Sequence, residues 1–167
     1  MKKGIALILA LCFLLSLSAC GQLSSEELQA TVPTMTVSAG GQQTAQATSG
    51  GGNWTYKGQS LVADALHPLQ ALDILSENSA LSAYAGTEVS MRFSVLPDRV
   101  TVTYWSADEP AGDSIPEGQT TEVTFNNNLF SFVVPDGSGD IVLLAQAEWN
   151  SYSELSGAMG YGFLLHR

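Results

Sequence analysis

Apolar and polar residues alternate through much of the chain beyond residue 30, and this period of two predicts short β-strands. The clearest example is 89–95, where every second side chain is apolar and those between are polar. The same alternation recurs over 100–104 and 121–125. Strands with one buried and one solvent-facing side show this pattern in antiparallel sheets. We expect roughly seven to nine strands, separated by turns rich in glycine, proline, asparagine and aspartate.

Residues 61–81 depart from the alternation, because they are rich in alanine and leucine and include Pro68. Proline disfavours one long helix, so we expect a crossing connection with a short helical piece. Residues 49–53, with three consecutive glycines, predict a break between strands, and 150–160 predict a loop. The whole pattern favours an all-β fold, an immunoglobulin-like antiparallel β-sandwich over residues 31–167.

The first 19 residues predict a cleaved export signal. Two lysines follow Met1, and an apolar run extends over 4–17 with Ser16 as its one polar residue. That run is shorter than the ~20 apolar residues that span a bilayer, and such segments are usually removed. The alternatives are a plain secretory signal with an incidental cysteine, or a retained membrane helix.

Residues 17–20, Leu-Ser-Ala-Cys, match the lipobox at which bacterial lipoprotein precursors are lipidated and cut. The thiol of Cys20 would form the thioether to diacylglycerol, and the small residues before it fit the peptidase. Two or three acyl chains, palmitate among them, hold a protein stably on a membrane where one chain does not. We therefore divide the chain into a signal peptide 1–19, a segment 20–30 of lipidated Cys20 and flexible tether, and a sandwich domain 31–167.

Lipidation of Cys20 would leave the mature chain without a free thiol, because Cys12 departs with the signal. Disulfides, cysteine nucleophiles and cysteine-ligated zinc are then excluded, so packing alone must hold the sandwich together. The large aromatic side chains expected in its core are Trp54, Phe93, Tyr104, Phe125, Phe132, Trp149 and Phe163.

The mature chain is strongly acidic. Lys2 and Lys3 belong to the signal, which leaves four basic residues against 16 acidic ones and a side-chain charge of −12. Without a basic patch to neutralise phosphates, we expect no nucleic-acid binding and no adsorption to anionic lipid through the protein surface. We expect an extracytoplasmic protein, held at the bacterial cell membrane by its lipid, with an envelope protein or a glycan as its kind of partner.

Three stretches together resemble small bacterial lipoproteins with a single immunoglobulin-like domain. They are the lipobox with a first strand led by Pro33, the hairpin over 89–105, and the closing pair formed by 141–150 and 157–166. The resemblance covers most of the mature chain and implies a sandwich fold and an envelope location. It implies no activity, so no catalytic residue is carried over.

Candidate catalytic residues are few, because the chain has two histidines, His67 and His166. Asp64 and Ser60 lie near His67, but no Gly-x-Ser-x-Gly sequence offers a nucleophile on a sharp turn. Zinc would need both histidines plus carboxylates, and no ligand spacing supports it. Carboxylate-based hydrolysis stays open by composition, although no pair of acids is singled out. We expect no enzymatic activity and no cofactor beyond the lipid on Cys20.

Calcium is the sharpest metal hypothesis. Asp136, Ser138 and Asp140 place oxygen donors at alternate positions, and the glycines between them allow a tight curve. An EF-hand loop would carry glutamate at its twelfth position, where this chain has Ala147. The alternative is a plain connecting turn, in which aspartate and glycine are favoured for their backbone conformation.

Aromatic residues near loops are the most direct pointer to a binding surface. Trp105 shares a strand face with Thr101 and Thr103, while Tyr152 and Tyr161 flank the loop between the last two predicted strands. Such side chains stack on sugars or grip an anchor residue of a partner. The alternative is a bulge that turns Trp105 into the core, since tryptophan is highly buried on average.

Three functional hypotheses follow. The leading one is a non-catalytic, lipid-anchored binding or interaction module at the bacterial cell envelope. The second is a solute- or calcium-binding lipoprotein, and the third is a small hydrolase with an unrecognised carboxylate site. A cleft with two convergent acids would favour the third, whereas a sheet face that presents the aromatic residues together would favour the first.

Overall fold

The computed structural model of the protein describes residues 22–110 and 115–167. Within these residues the fold is an all-β sandwich of two sheets, as the alternation predicts, with twelve strands rather than the seven to nine expected. The predicted signal peptide 1–19 and the lipidation site Cys20 lie outside the described residues. No helix in the described parts of the chain is long and apolar enough to cross a membrane.

The smaller sheet has five strands and is antiparallel throughout. Its members are β1 (Met35–Ala39), β2 (Gln43–Gln46), β6 (Glu88–Phe93), β9 (Thr124–Asn126) and β10 (Leu129–Val133). Their spatial order is β2-β1-β6-β10-β9. The hairpin between β1 and β2 turns at Gly40 and Gly41, whose φ angles of 55° and 72° suit glycine.

The larger sheet has seven strands. Its members are β3 (Thr48–Tyr56), β4 (Gln59–Ala63), β5 (Ala80–Ser82), β7 (Arg99–Ser106), β8 (Gln119–Thr121), β11 (Ile141–Trp149) and β12 (Leu155–His166). Six of them follow the order β4-β3-β12-β11-β7-β8 with antiparallel pairing, and β5 runs parallel to the last residues of β12. The longest strand, β12, therefore lies in the middle of the sheet.

Three short helical pieces accompany the strands: α1 (Ser25–Gln29), a 3₁₀ turn (Pro68–Ala71) and α2 (Leu72–Asn78). The last two lie in the connection over 61–81 and confirm the expected short helical piece there. Pro68 stands at the start of its turn, where the missing N–H costs nothing. We call residues 64–79, which cross over the larger sheet, the crossing segment.

The glycine run over 49–53 is not a break, because it lies inside β3. A Cβ added at Gly52 would lie 2.2 Å from the carbonyl oxygen of Ala158, and one at Gly157 would lie 2.2 Å from that of Asn53. Strands β3 and β12 approach too closely here for side chains. The sequence also predicted a loop over 150–160. The second half of that prediction is wrong, because β12 begins at Leu155.

The inner core between the two sheets is rich in aromatic side chains. The Trp54 and Trp149 rings meet edge to face with centroids 5.4 Å apart, and Phe93 contacts both Trp149 and Tyr161 at 6.0 and 5.7 Å. Each such fully buried large side chain contributes on the order of 1.5–3 kcal/mol through its burial. Five of the seven aromatic residues expected in the core are buried there: Trp54, Phe93, Phe132, Trp149 and Phe163.

The remaining two expected core aromatics are only partly buried. Phe125 lies on the edge strand β9 and is 53% exposed, although its ring contacts Phe130 at 4.6 Å. Tyr104 packs against the inner core and directs its hydroxyl to Gln119 Oε1 at 2.8 Å. Phe125 thus lies on an edge strand, and Tyr104 lies on the strand beside the edge strand β8, a position that alternation does not reveal.

A second, smaller core lies on the outer face of the larger sheet. The crossing segment covers this face with Leu69 and Leu75, which form one buried cluster with Trp105, Val142 and Leu164 of the sheet. Strands β11 and β12 are therefore covered on both faces, which accounts for their nearly continuous apolar sequence.

The flexible tether expected over 20–30 is wrong for most of its length. Ser24 caps α1 by accepting a hydrogen bond from the N–H of Glu27, whose carboxylate accepts one from the N–H of Ser24. Leu28, on the same helix, is 6% exposed and belongs to the inner core. One apolar side chain in a polar stretch is too weak a periodic signal to predict this helix.

Candidate functional site

Trp105 lies on the sheet face that the sequence predicts, yet it is buried and not exposed there. It shares the outer face of the larger sheet with Thr101 and Thr103 but is 7% exposed, because the crossing segment covers it. Its indole N–H donates to the carbonyl oxygen of Pro116 at 3.0 Å. Neither the exposed position nor the inward bulge describes this residue, since it is buried in the second core.

The structure does not bring the three predicted aromatic residues together. Tyr161 is fully buried in the inner core, where its hydroxyl donates to the carbonyl oxygen of Pro33 at 2.7 Å and burial raises its pKa. Tyr152 is 39% exposed at one end of the sandwich, and its hydroxyl donates to the carbonyl oxygen of Leu96 at 2.6 Å. The three side chains make separate contacts within the fold and do not form one shared aromatic surface.

The loop proposed for calcium holds the side chain of Arg167. The guanidinium donates to the carbonyl oxygens of Gly139, Pro135 and Ser138 at 2.6, 3.2 and 3.2 Å. These three carbonyl oxygens therefore face a cation that belongs to the chain itself. Within the described residues no group of three or more acidic, histidine or cysteine side chains could hold a metal.

The two carboxylates of that loop have separate surroundings. Asp140 accepts a hydrogen bond from the backbone N–H of Arg167 and lies 2.7 Å from Nδ1 of His166, while Asp136 is exposed. The contact between His166 and Asp140 is about half exposed, which makes it a weak surface pair. The loop is therefore organised around His166, the last residue of β12, and Arg167, which follows it.

An apolar depression lies on the outer face of the larger sheet, beside the second core. Its volume is about 560 Å³, within the usual range for small-molecule sites. Its floor consists of glycines from two neighbouring strands: Gly50, Gly51, Gly160 and Gly162. Its walls come from the crossing segment on one side and from Leu144 and Ile115 on the other. We call this site the groove.

Missing side chains create the floor of the groove. A Cβ at Gly160 would meet the Leu144 side chain at 3.0 Å, and one at Gly162 would meet the Leu75 side chain at 3.2 Å. Neither glycine has a positive φ, so backbone conformation does not require them. Their effect is to let the side chains of Leu144 and Leu75 lie close against the sheet, where a larger residue would displace them.

Large apolar side chains stand exposed around the mouth of the groove. Leu66, Ile74 and Ile115 are 62%, 48% and 42% exposed. Exposed apolar groups gathered at one concave site mark binding surfaces more often than scattered ones do. The described residues that line the groove include no aspartate, glutamate, lysine or arginine, although the chain carries 16 acidic side chains.

Polar atoms are few and lie at defined positions in the lining. His67 Nδ1 accepts a hydrogen bond of 3.2 Å from the N–H of Leu69, so the neutral ring carries its proton on Nε2. Partial burial lowers the pKa of His67 below 6.5, which favours that neutral form. Gln70 and Gln146 add amide groups to the lining. The groove thus combines apolar walls with uncharged hydrogen-bonding groups.

Sequence reasoning missed this groove. Its glycines belong to β3 and β12, which are about 110 residues apart in the chain, and its walls come from two further segments. The one available signal was glycine at positions 50, 51, 160 and 162, whose residue type is disfavoured inside strands.

No protein-family model matches the chain, and neither a curated protein nor a solved structure is significantly similar to it. The geometry of the groove is therefore the basis on which a function can be argued.

Proposed function

We propose that the chain is a non-catalytic, lipid-anchored binding protein of the bacterial cell envelope, and that the groove is its ligand site. The observation that carries the binding function is the uncharged, apolar groove above the glycine floor of the larger sheet. The lipobox at 17–20 supports the anchor and the extracytoplasmic location. The two-sheet architecture supports an immunoglobulin-like type of sandwich.

The chemistry of the lining indicates an uncharged ligand. An ion would enter a site without a charged partner and would lose its hydration, which is costly. The apolar walls favour a ligand with a flat or branched apolar body, and the amides together with the neutral His67 favour one or two hydrogen-bonding groups. Apolar burial at about 25 cal/mol per Å² would be the main source of affinity.

Structural use of both histidines supports a non-catalytic role. Nδ1 of His67 is occupied by the N–H of Leu69, and the ring packs against Trp105. His166 pairs with Asp140 beside the loop that encloses Arg167. The groove itself is lined without carboxylates in its described part, so it does not have the paired acids of a glycoside hydrolase.

Of the alternatives, a solute is better supported than calcium or a large partner. The loop at Asp136, Ser138 and Asp140 already encloses a guanidinium. The aromatic anchors that a protein or glycan partner would use at Trp105 and Tyr161 are buried. A concave site of small-molecule size favours a small ligand.

Dye binding tests the proposed site. The mature chain with Cys20→Ser, produced without its signal, would be titrated with Nile red, which is flat and uncharged, and with the anionic dye ANS. Gly160→Val places a valine side chain on the floor, whereas Ala158→Val places the same side chain on the same strand outside the groove. We expect saturable Nile red fluorescence that Gly160→Val weakens at least tenfold and Ala158→Val leaves within twofold. Equal binding by both variants would contradict the site.

Detergent partitioning tests the proposed anchor. We expect the protein expressed with its signal to enter the detergent phase and to carry the mass of diacylglycerol at Cys20. Replacement of Cys20 by serine removes the attachment atom, so the variant is expected to lose that mass and the mature-length product. An unchanged mass would contradict lipidation at this residue.

A further inference from the structure

The folded body begins very close to the predicted lipidation site. The backbone N–H of Leu23 donates a hydrogen bond of 2.9 Å to Oε1 of Gln59, and the Leu23 side chain packs against the inner core. Helix α1 follows at once, with Leu28 buried. Three peptide steps therefore separate Cys20 from a residue that is fixed to the sandwich.

This short connection limits how far the body can stand from the point of attachment. Extended chain spans at most about 3.3–3.6 Å per residue, so three residues reach about 11 Å. Strand β11, with its nine residues, is about 30 Å long. The distance from Cys20 to the sandwich is thus short compared with the sandwich itself.

The contact of Leu23 lies at one end of the strands, which we call the anchor end. Gln59 is the first residue of β4 and pairs with Tyr56, the last residue of β3. The loop that follows β11 lies at the same end, and Ser153 is exposed in it. The opposite end, which we call the groove end, carries the first residues of β3 and the loop before β11, where Ser138 is exposed.

We propose that the lipid holds the anchor end against the bilayer and directs the groove end away from it. The ligand is then taken from the aqueous side of the envelope and not out of the membrane. This inference rests on the proposed lipidation of Cys20. It adds an orientation that lipidation alone does not give, because a long tether would allow any orientation.

Connection length, and not surface charge, sets this orientation. Lys57 is exposed at the turn of the anchor end, but exposed Glu26, Glu27 and Glu154 lie at the same end. Such a surface has no net attraction for anionic headgroups. The orientation is therefore expected to be independent of ionic strength and of the content of anionic lipid.

Energy transfer to a bilayer tests the orientation. Full-length lipidated protein would be bound to phosphatidylcholine vesicles that carry a headgroup acceptor dye. A donor dye would be attached to Ser153→Cys at the anchor end or to Ser138→Cys at the groove end, since alkylated Cys20 leaves the new thiol to react alone. Both substitutions replace an exposed loop serine, so each serves as the matched control of the other.

We expect strong transfer from position 153 and weak transfer from position 138, with a difference in height of about 25–30 Å set by the length of β11. The transfer efficiencies from both positions should not change between 50 mM and 500 mM salt. Equal transfer from both positions, or stronger transfer from position 138, would overturn the orientation.

A variant with a longer linker tests whether the short connection causes the orientation. Fifteen Gly-Ser residues inserted between Gly21 and Gln22 give a mean reach of about 20 Å, and the difference between the two positions should then largely disappear. A difference that survives the insertion would overturn the role of the short connection. Mass measurement of every sample separates the two proposals, because a missing lipid contradicts the anchor and a lipidated but unoriented protein contradicts this inference alone.

Discussion

The imidazole of His67 packs edge-on against the indole of Trp105, with ring centroids 4.5 Å apart and an interplanar angle of 85°. The contact fastens the crossing segment to β7 at the border of the groove. Trp105 also donates its N–H to the carbonyl oxygen of Pro116. The buried indole thus contacts both the crossing segment, at His67, and the segment before β8, at Pro116. These contacts explain why Trp105 is covered although it lies on the outer face of its sheet.

Replacement of Trp105 tests its structural role. We expect Trp105→Ala to lower the free energy of unfolding by about 3–5 kcal/mol, because a large buried ring is lost and a cavity remains. Trp105→Phe keeps most of the ring and removes the N–H, so about 1 kcal/mol is expected. Urea unfolding of both variants measures these values. Unchanged stability in Trp105→Ala would indicate that the indole faces solvent.

Protonation of His67 is expected to destabilise the protein. Burial lowers its folded pKa below 6.5, so the unfolded state binds more protons between that lowered value and 6.5. The stability from the neutral ring is complete above pH 6.5 and is lost as the pH falls toward the folded pKa. His67→Asn retains a side-chain acceptor for the N–H of Leu69 without titrating in this range. Between pH 8 and pH 5, the free energy of unfolding should fall less in the variant than in the wild type. Equal falls would contradict the role of His67.

The carboxylate of Asp98 is expected to stabilise the loop after β11. It accepts hydrogen bonds from the N–H of Asn150, the hydroxyl of Ser151 and the N–H of Ser151 at 2.5, 2.5 and 2.9 Å, and these lower its pKa below 3.8. The stabilisation is complete above pH 3.8 and is lost as the pH falls through the lower folded pKa. Asp98→Asn should therefore be less stable than the wild type at pH 7, and the difference should narrow in acid. Thermal unfolding checks this, with Asp64→Asn at an exposed carboxylate as the control.

We expect Gly157 to tolerate substitution by alanine far less well than Gly58, although both have a positive φ. A Cβ at Gly157 would lie 2.2 Å from the carbonyl oxygen of Asn53, while one at Gly58 has nothing within 4 Å. Gly58→Ala should cost about 1–2 kcal/mol through its backbone conformation alone. Gly157→Ala should cost several kcal/mol more, since β3 and β12 must separate. Similar melting temperatures for the two variants would contradict the close approach of these strands.

Alternation in the sequence was sufficient to predict the strands around Val89 and Val100, because each has one core-facing side. It failed at Gly50–Gly52, where close pairing with β12 overrides the poor strand propensity of glycine. The helix at Leu28 was missed because a single buried side chain gives no period.

The groove was beyond the sequence for a different reason. Its floor at Gly51 and Gly160 and its walls at Leu66 and Ile115 come from segments that only the tertiary fold brings together. The burial of Trp105 has the same origin, since its strand pattern was interpreted correctly and the covering segment was not foreseen. The alternation thus predicted which side chains share a strand face, but it did not predict which other segment would cover that face.

The central position of β12 has a consequence for the order of events during synthesis. This strand pairs with β3 and β5 on one side and with β11 on the other, so the larger sheet cannot close until residue 166 has left the ribosome. Until then the partner strands lack their common neighbour. Because β12 is made after every strand that it joins, the larger sheet is completed by a central strand and not by a strand at its edge.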